Sequence, residues 1–296
     1  LDGILNLNKP AGITSFQAVA RVRKASGKRK AGHGGTLDPF ATGVLPVFLG
    51  KASRVAEYLL KYPKTYLAVV LLGTETDTLD VSGTVTGRCG WEHILQTDIE
   101  KAVTRFTGRI SQVPPAYSAL KVNGRRLYEL ARQGLSPEVE PREVDIYSIR
   151  IIRFRPPELA IEVKCGRGTY IRSLARDLGK ALGSCGCLSE LSRTAYGPFE
   201  ISRAFSLEHI EEQGGVLEKG IYPMDVILQD FPAVTLDCRQ AQMICHGSEV
   251  QLSPADTDSG LLRAYDGAGR LVALLAPSGS EGCYKPEKVF DSAISP

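Results

Sequence analysis

Several things are scarce in this chain of 296 residues, and each shortage closes off a class of function. No apolar run approaches the roughly 18 residues of a membrane-spanning helix. No signal-peptide pattern opens the chain, and a start at Leu1 is expected to follow a lost initiator segment. There are four histidines, and His93, His209 and His246 share no ligand spacing with His33, which argues against a metal site. The seven cysteines are odd in number and scattered, which predicts reduced thiols in a cytosol rather than a disulfide framework. Cys185-Gly186-Cys187 is the one close pair, and without a second pair it is a weak sign of zinc. The glycine-rich stretch Gly32–Gly43 lacks the Gly-Lys-Ser/Thr ending of a P-loop, and no dinucleotide fingerprint or recognisable Ser-His-Asp spacing occurs.

The most informative shortage is of acid. Residues 3–56 hold nine Lys/Arg and one carboxylate, Asp38, within Gly32-His33-Gly34-Gly35-Thr36-Leu37-Asp38-Pro39. Positive surroundings stabilise a carboxylate's negative charge and attract a polyanion. An acid so placed fits nucleophilic or acid–base chemistry on a nucleic acid. An Asp-Pro turn beside a solvated basic helix would leave the same trace.

What is plentiful sets the frame. Hydrophobic residues make up 43%, enough for a sizeable core, and the length suits one large domain or two ordinary ones. Residues 230–296 carry five Lys/Arg and nine Asp/Glu, a net of −4, which leaves the first 229 residues with 31 basic and 24 acidic, a net of +7. The main polyanion contact is therefore expected on the body.

Along the chain, Ile4–Pro10 alternates like a strand, and Thr14 or Ser15 caps a helix with an apolar stripe at Phe16, Val19 and Val22. Val44–Leu49 is a short buried run, and Ser53–Lys61 reads as a helix. Lys64–Leu72 reads as a strand that Thr84–Thr86 should pair with, and Thr97–Glu100 as the capping box of a helix ending near Phe106. Val113–Ser118, with two prolines, is an extended linker, and Arg125–Arg132 a short basic helix. Val144–Phe154 and Leu159–Cys165 are long strands before a helix over Tyr170–Leu182. Beyond Asp230-Phe231-Pro232, short strands and the turn Asp266–Gly269 predict a separate small β barrel or half-barrel.

Three further side chains invite a chemical reading. Arg172 opens a helix, where the dipole disfavours a cation, so a carboxylate or phosphate is expected to hold it there; a solvated helix arginine is the plainer explanation. His33 between glycines suits proton transfer, base stacking or a phosphate contact. Tyr66 is either an ordinary strand aromatic or a stacking platform for a flipped base.

Gly32–Pro39 resembles the catalytic loop of the TruB family of tRNA pseudouridine synthases. So, in the same order, do Asn8-Lys9-Pro10, Lys64-Thr65-Tyr66, Pro114–Ala119 with Lys121–Gly124, and Gly168-Thr169-Tyr170-Ile171-Arg172. The resemblance spans residues 3–230. It implies an α+β fold, with a mixed, largely antiparallel central sheet flanked by helices over 1–229, a thumb insertion over about 112–142, and a small β-rich PUA RNA-binding domain over 230–296. It further implies isomerisation of uridine to pseudouridine at nucleotide 55 in the T loop of tRNA, without cofactor or metal. Asp38 would be the catalytic aspartate, Tyr66 would stack on the base and take the C5 proton, and Arg172 would pair with Asp38. Tyr170 and Leu191 would line the uracil pocket, His33 would contact the T loop, and Lys9, Lys121, Arg125, Arg126 and Arg132 would bind substrate. The implied protein is cytoplasmic and monomeric, has no obligatory protein partner and touches no membrane. A guide-RNA-dependent synthase and a tRNA folding chaperone are the alternative functions. One departure is visible: Ser192-Arg193 stands where the family often has two adjacent basic residues, and Cys185 and Cys187 have no assigned role.

Overall fold

The computed structural model describes residues 2–118, 120–122, 124–131, 133–135, 137, 139–213, 220–252 and 260–290. A mixed sheet runs through the body. Its early strands are β1 (Gly3–Lys9), β2 (Ala31–His33), β3 (Thr42–Leu49) and β4 (Lys64–Leu72). Helix α1 (Ser15–Ser26) follows β1, and a 3-10 helix over Gly50–Lys61 follows β3. Strands β5 (Thr74–Thr76) and β6 (Val85–Arg88) form a separate two-stranded hairpin before helix α2 (Gln96–Arg105) and edge strand β7 (Gly108–Gln112). Next come β8 (Lys121–Val122), β9 (Arg125–Arg126) and α3 (Leu127–Ala131), then β10 (Arg142–Arg155), β11 (Glu158–Cys165), α4 (Ile171–Ala181) and β12 (Gly186–Tyr196). The order across the sheet is β1-β3-β12-β4-β11-β10-β7, antiparallel except where β12 runs parallel to β3. Strand β13 (Phe199–Glu200) extends β12, while β14 (Phe205–Ser206), parallel, and β15 (Ile221–Tyr222) flank β1, with helix α5 (Leu207–Gln213) between them.

Alternation along β4 decides which face is which. Tyr66, Ala68, Val70 and Leu72 are buried while Leu67 is exposed. Helix α4 covers the buried face closely because two glycines meet. A Cβ on Gly179 would stand 2.5 Å from the Cys185 carbonyl carbon, and one on Gly186 would stand 2.8 Å from the Ala175 oxygen.

Residues 233–289 build a second sheet of β16 (Ala233–Thr235), β17 (Val250–Gln251), β18 (Leu262–Tyr265), β19 (Leu271–Pro277) and β20 (Cys283–Val289), with helix α6 (Cys238–Cys245) beside it. Its core holds Val234, Leu262, Ala264, Val272 and Tyr284. Leu274 and Phe290 pack with Ile4, Phe48 and Leu59 of the body. Lys288 donates to the Arg54 carbonyl at 2.8 Å, and Lys61 pairs with Asp230 at 2.9 Å. No helix among the described residues is long and apolar enough to cross a membrane.

The structure corrects the sequence reading in five places. Phe16 is 76% exposed, so the buried face of α1 is Ser15, Ala18, Val19 and Val22. Residues 84–86 do not pair with β4, whose two edges are taken by β11 and β12; the chain leaves at Gly73 (φ +79°), and β6 pairs with β5. Helix α2 starts one residue before Thr97, and the cap is the Asp98 carboxylate accepting from the Leu95 N–H at 3.1 Å. Arg125 and Arg126 lie in β9, and the helix after them is only Leu127–Ala131. Finally, Cys89 and Cys185 are joined in a disulfide, Cα atoms 5.7 Å apart. Backbone pairing brings them together: the Cys89 N–H donates to the Gly73 carbonyl, and the Gly73 N–H to the Cys185 carbonyl. Sequence spacing carries no trace of that contact.

Candidate active site

Asp38 sits on a loop fastened at every step. Upstream, the Gly34 N–H donates to the Pro46 carbonyl at 3.0 Å. The Ser15 hydroxyl, buried at the start of α1, accepts from the Leu37 N–H at 2.8 Å and donates to the Leu37 carbonyl at 3.0 Å. The Pro39 carbonyl accepts from the Gly12 N–H at 2.8 Å. Lys9 is fully buried, and its ammonium donates to the carbonyls of Pro10, Ile13 and Pro39 at 2.8, 2.9 and 3.3 Å. In this structure Lys9, which the resemblance implied as a substrate contact, fastens the loop. Arg193, also fully buried, donates to the Val44 carbonyl at 2.7 Å and the Gly35 carbonyl at 3.1 Å, clasping both ends of the loop. Gly43 (φ +103°) lets the two backbones meet, since a Cβ there would stand 2.3 Å from the Arg193 oxygen.

Across from this loop, the first turn of α4 presents Arg172. Its Nε donates to Asp38 Oδ2 at 2.8 Å. Nη1 donates to the Thr78 carbonyl and Nη2 to the Tyr117 carbonyl, each at 2.8 Å. The Arg172 side chain is 5% exposed and that of Asp38 34%, so one end of the pair is anchored and the other faces the opening. A second carboxylate, Asp80, stands 3.8 Å from Arg172 Nε. It is held by the Thr78 hydroxyl at 2.9 Å, the Ser82 N–H at 3.0 Å and the Ser82 hydroxyl. The position of Arg172 at a helix start pointed to an anionic partner. Asp80 reaches Arg172 because the turn between β5 and β6 lies against the first turn of α4, where the Thr78 carbonyl accepts from Arg172.

The strands and helices that carry them place the remaining candidate residues. Tyr66, 7% exposed, lies on the inner face of β4, and Leu191, 8% exposed, on the inner face of β12. Burial raises the Tyr66 phenol above its ordinary pKa, while the nearby Arg193 guanidinium favours the phenolate. Tyr170 caps α4, and its N–H donates to Gln112 Oε1 at 2.8 Å. His33 ends β2; burial first, and Arg193 second, lower its pKa, so its ring is neutral near pH 7. His33 Nδ1 is buried without a hydrogen-bond partner among the described residues. Of the basic residues over 121–132, Arg125 is exposed and donates to Gln133 at 2.7 Å, and Arg126 reaches the Tyr128 hydroxyl at 3.3 Å. Lys121 is placed by its backbone in β8, opposite Arg126. Arg132 lies outside the described residues. Among the described residues, no three His, Cys, Asp or Glu side chains gather in a metal-binding arrangement.

A carboxylate paired with a buried arginine, in a basic segment of the chain, is equipped for covalent or acid–base chemistry on a nucleotide. Comparison with known proteins narrows this. Residues 23–171 match the N-terminal domain of TruB family pseudouridylate synthase, and 172–229 match the tRNA pseudouridylate synthase B C-terminal domain. A tRNA pseudouridine synthase B of Dehalococcoides mccartyi is 43% identical over 292 residues, covering 98% of this chain and 97% of that protein. The protein of the same name from Symbiobacterium thermophilum is 46% identical over 250 residues, 83% of this chain and 82% of its own length. Among solved structures, a chain of a Cbf5-Nop10-Gar1 complex is 29% identical with a TM-score of 0.72, covering 98% of this chain and 85% of that one.

Proposed function

The chain belongs to the TruB family of pseudouridylate synthases, and from that premise we propose that it converts uridine 55 in the T loop of tRNA to pseudouridine. The observation that carries the reading is the Asp38–Arg172 pair, 2.8 Å apart, with Arg172 anchored to two backbone carbonyls. The reaction is an isomerisation: the C1′–N1 bond breaks, a C1′–C5 bond forms, C5 loses a proton and N1 regains one. The reacting atoms are stacked within a folded loop, so the nucleotide must flip out to reach Asp38. Three first steps are open to this carboxylate: attack on C1′, attack on the base, or removal of a ribose proton. Arg172 serves all three by holding and aiming the carboxylate.

Tyr66 is the candidate acceptor of the C5 proton. To act so, its phenol must first surrender its own proton. Burial opposes that step, and the Arg193 guanidinium favours it. Exposed Arg125 and Arg126, with Lys121 and Arg132 in the same thumb insertion over about 112–142, would fix the stem by its phosphates. The sheet of residues 233–289 serves as a PUA-like RNA-binding domain on this reading. The relatives named tRNA pseudouridine synthase B match over nearly the whole chain at 43% identity, against 29% for the Cbf5 complex, and this favours direct tRNA recognition over a guide RNA. The test is to map pseudouridine in a tRNA transcript incubated with the protein. Modification confined to position 55 is expected; modification elsewhere, or only with an added guide RNA, contradicts the proposal.

A further inference from the structure

Four cations and two carboxylates form the site, and all but one of the cations are accounted for. Arg172 lies between Asp38 and Asp80. Lys9 and Arg193 are fully buried and spend their donors on carbonyls. Lys64 differs. It opens β4 two residues before Tyr66, on the same face of the sheet, roughly 7 Å along the strand. Its register partners are Cys165 on β11 and Tyr196 on β12. Its Nζ lies 4.5 Å from the centre of the Tyr196 ring. Among the described residues it makes no hydrogen bond and no ion pair, although part of the side chain remains open to solvent.

The charged and titratable groups facing Lys64 are Cys165 from β11, Arg193 and Tyr196 from β12, and Tyr66 from its own strand. None is a carboxylate. The cost of partly burying an ammonium and its repulsion by Arg193 both weigh against the free protein, and among the described residues only the Tyr196 ring and a lesser attraction to Cys165 offset them. An anion entering beside Tyr66 would relieve both. We propose that Lys64 binds a backbone phosphate of the RNA whose nucleotide is seated over Tyr66. The inference rests on that face of the sheet being the RNA site. A lysine suits the task as a mobile point charge for phosphate.

The proposal has a pH signature. Burial, with Arg193 second, lowers the pKa of Lys64 to about 8 in the free protein. A bound phosphate raises it again. Lys64 therefore supports binding fully below about pH 8, and the support fades as pH rises from there toward the higher value in the complex. The experiment measures the Kd of an unmodified tRNA transcript at about pH 7 and about pH 8.5 for the wild type, Lys64→Gln and Lys64→Arg. Wild-type affinity should fall roughly fourfold between the two pH values. Lys64→Gln should bind roughly fivefold or more weakly at the lower pH and show no slope. Lys64→Arg, charged throughout, should bind about as well as the wild type at the lower pH and also show no slope. Retained binding by the arginine variant separates loss of charge from loss of fold. The same slope in all three proteins, or a glutamine variant as tight as the wild type, would overturn the proposal. Pseudouridine at position 55 is scored separately, so failure of the T-loop reading would be seen there while the binding series still decides the role of Lys64.

Discussion

At the scale of single residues, the site is a set of charges whose partners are far away in sequence. Arg172 makes three hydrogen bonds, one to Asp38 and two to carbonyls of separate segments. Arg172→Ala should lower kcat by about a hundredfold or more, the usual scale for losing a positioned electrostatic partner, while the Kd for tRNA changes little. Equal loss of both in steady-state and binding assays would make Arg172 a phosphate contact instead. The variant should also lose about 3–5 kcal/mol of stability, because Asp80 would remain buried without its cation; a denaturant titration reads this. Lys9 gives a second prediction. Its pKa falls from 10.5 to about 8 on folding, chiefly by burial. Between those values the unfolded chain binds more protons than the folded one, so stability rises with pH in that window. The stability of the wild type relative to Lys9→Met should climb from about pH 8 to about pH 10.5, and a flat or falling difference would contradict the burial of a charged Lys9. The Asp38–Arg172 pair was legible in sequence because both charges were out of place: an acid without acidic neighbours and a cation at a helix start. The clasp by Arg193 and the isolation of Lys64 were not legible, since both depend on the register of β12 against β3 and β4.

At the scale of elements, the loop carrying Asp38 is rigid because its neighbours hold it from three sides. Gly43 marks the crossing where β3 meets β12. Gly43→Ala needs both a positive φ and a shift of the Arg193 backbone, and it should cost more than about 2 kcal/mol in a denaturant titration, with activity falling too. Ser15→Ala removes a reciprocal pair with Leu37 and leaves that buried N–H without its partner, a loss of about 1–3 kcal/mol. A neutral result for either would mean that the loop relaxes without its fasteners. Strands and helices with clear periodicity, such as β4, β10, β11 and α4, were readable directly. The hairpin of β5 and β6 and the run of β8, β9 and α3 were not. Both are short, and tertiary contacts override weak local preference there: Arg125 and Arg126 pair with β8 instead of joining the helix that their neighbours form.

At the scale of the molecule, a basic body is joined to a mildly acidic second sheet, and Lys61, Arg54 and Lys288 tie the two together. Binding driven by phosphate contacts releases counterions. The Kd for tRNA should therefore weaken roughly tenfold or more as monovalent salt rises about threefold, the response expected of about three phosphate contacts. A flat titration would contradict the basic-body account. The Cys89–Cys185 disulfide shows where reading at this scale fails from sequence: 96 residues separate the pair, and only the fold brings the ends together. The proposed isomerisation of a T-loop uridine depends on Asp38, held by Arg172. It is tested most directly by incubating the wild type and Asp38→Asn with a T-arm stem-loop tritiated at C5 of uridine and measuring tritium released to water. Release by the wild type alone is the predicted result. Release by both proteins, or by neither while the stem-loop stays bound, would contradict it.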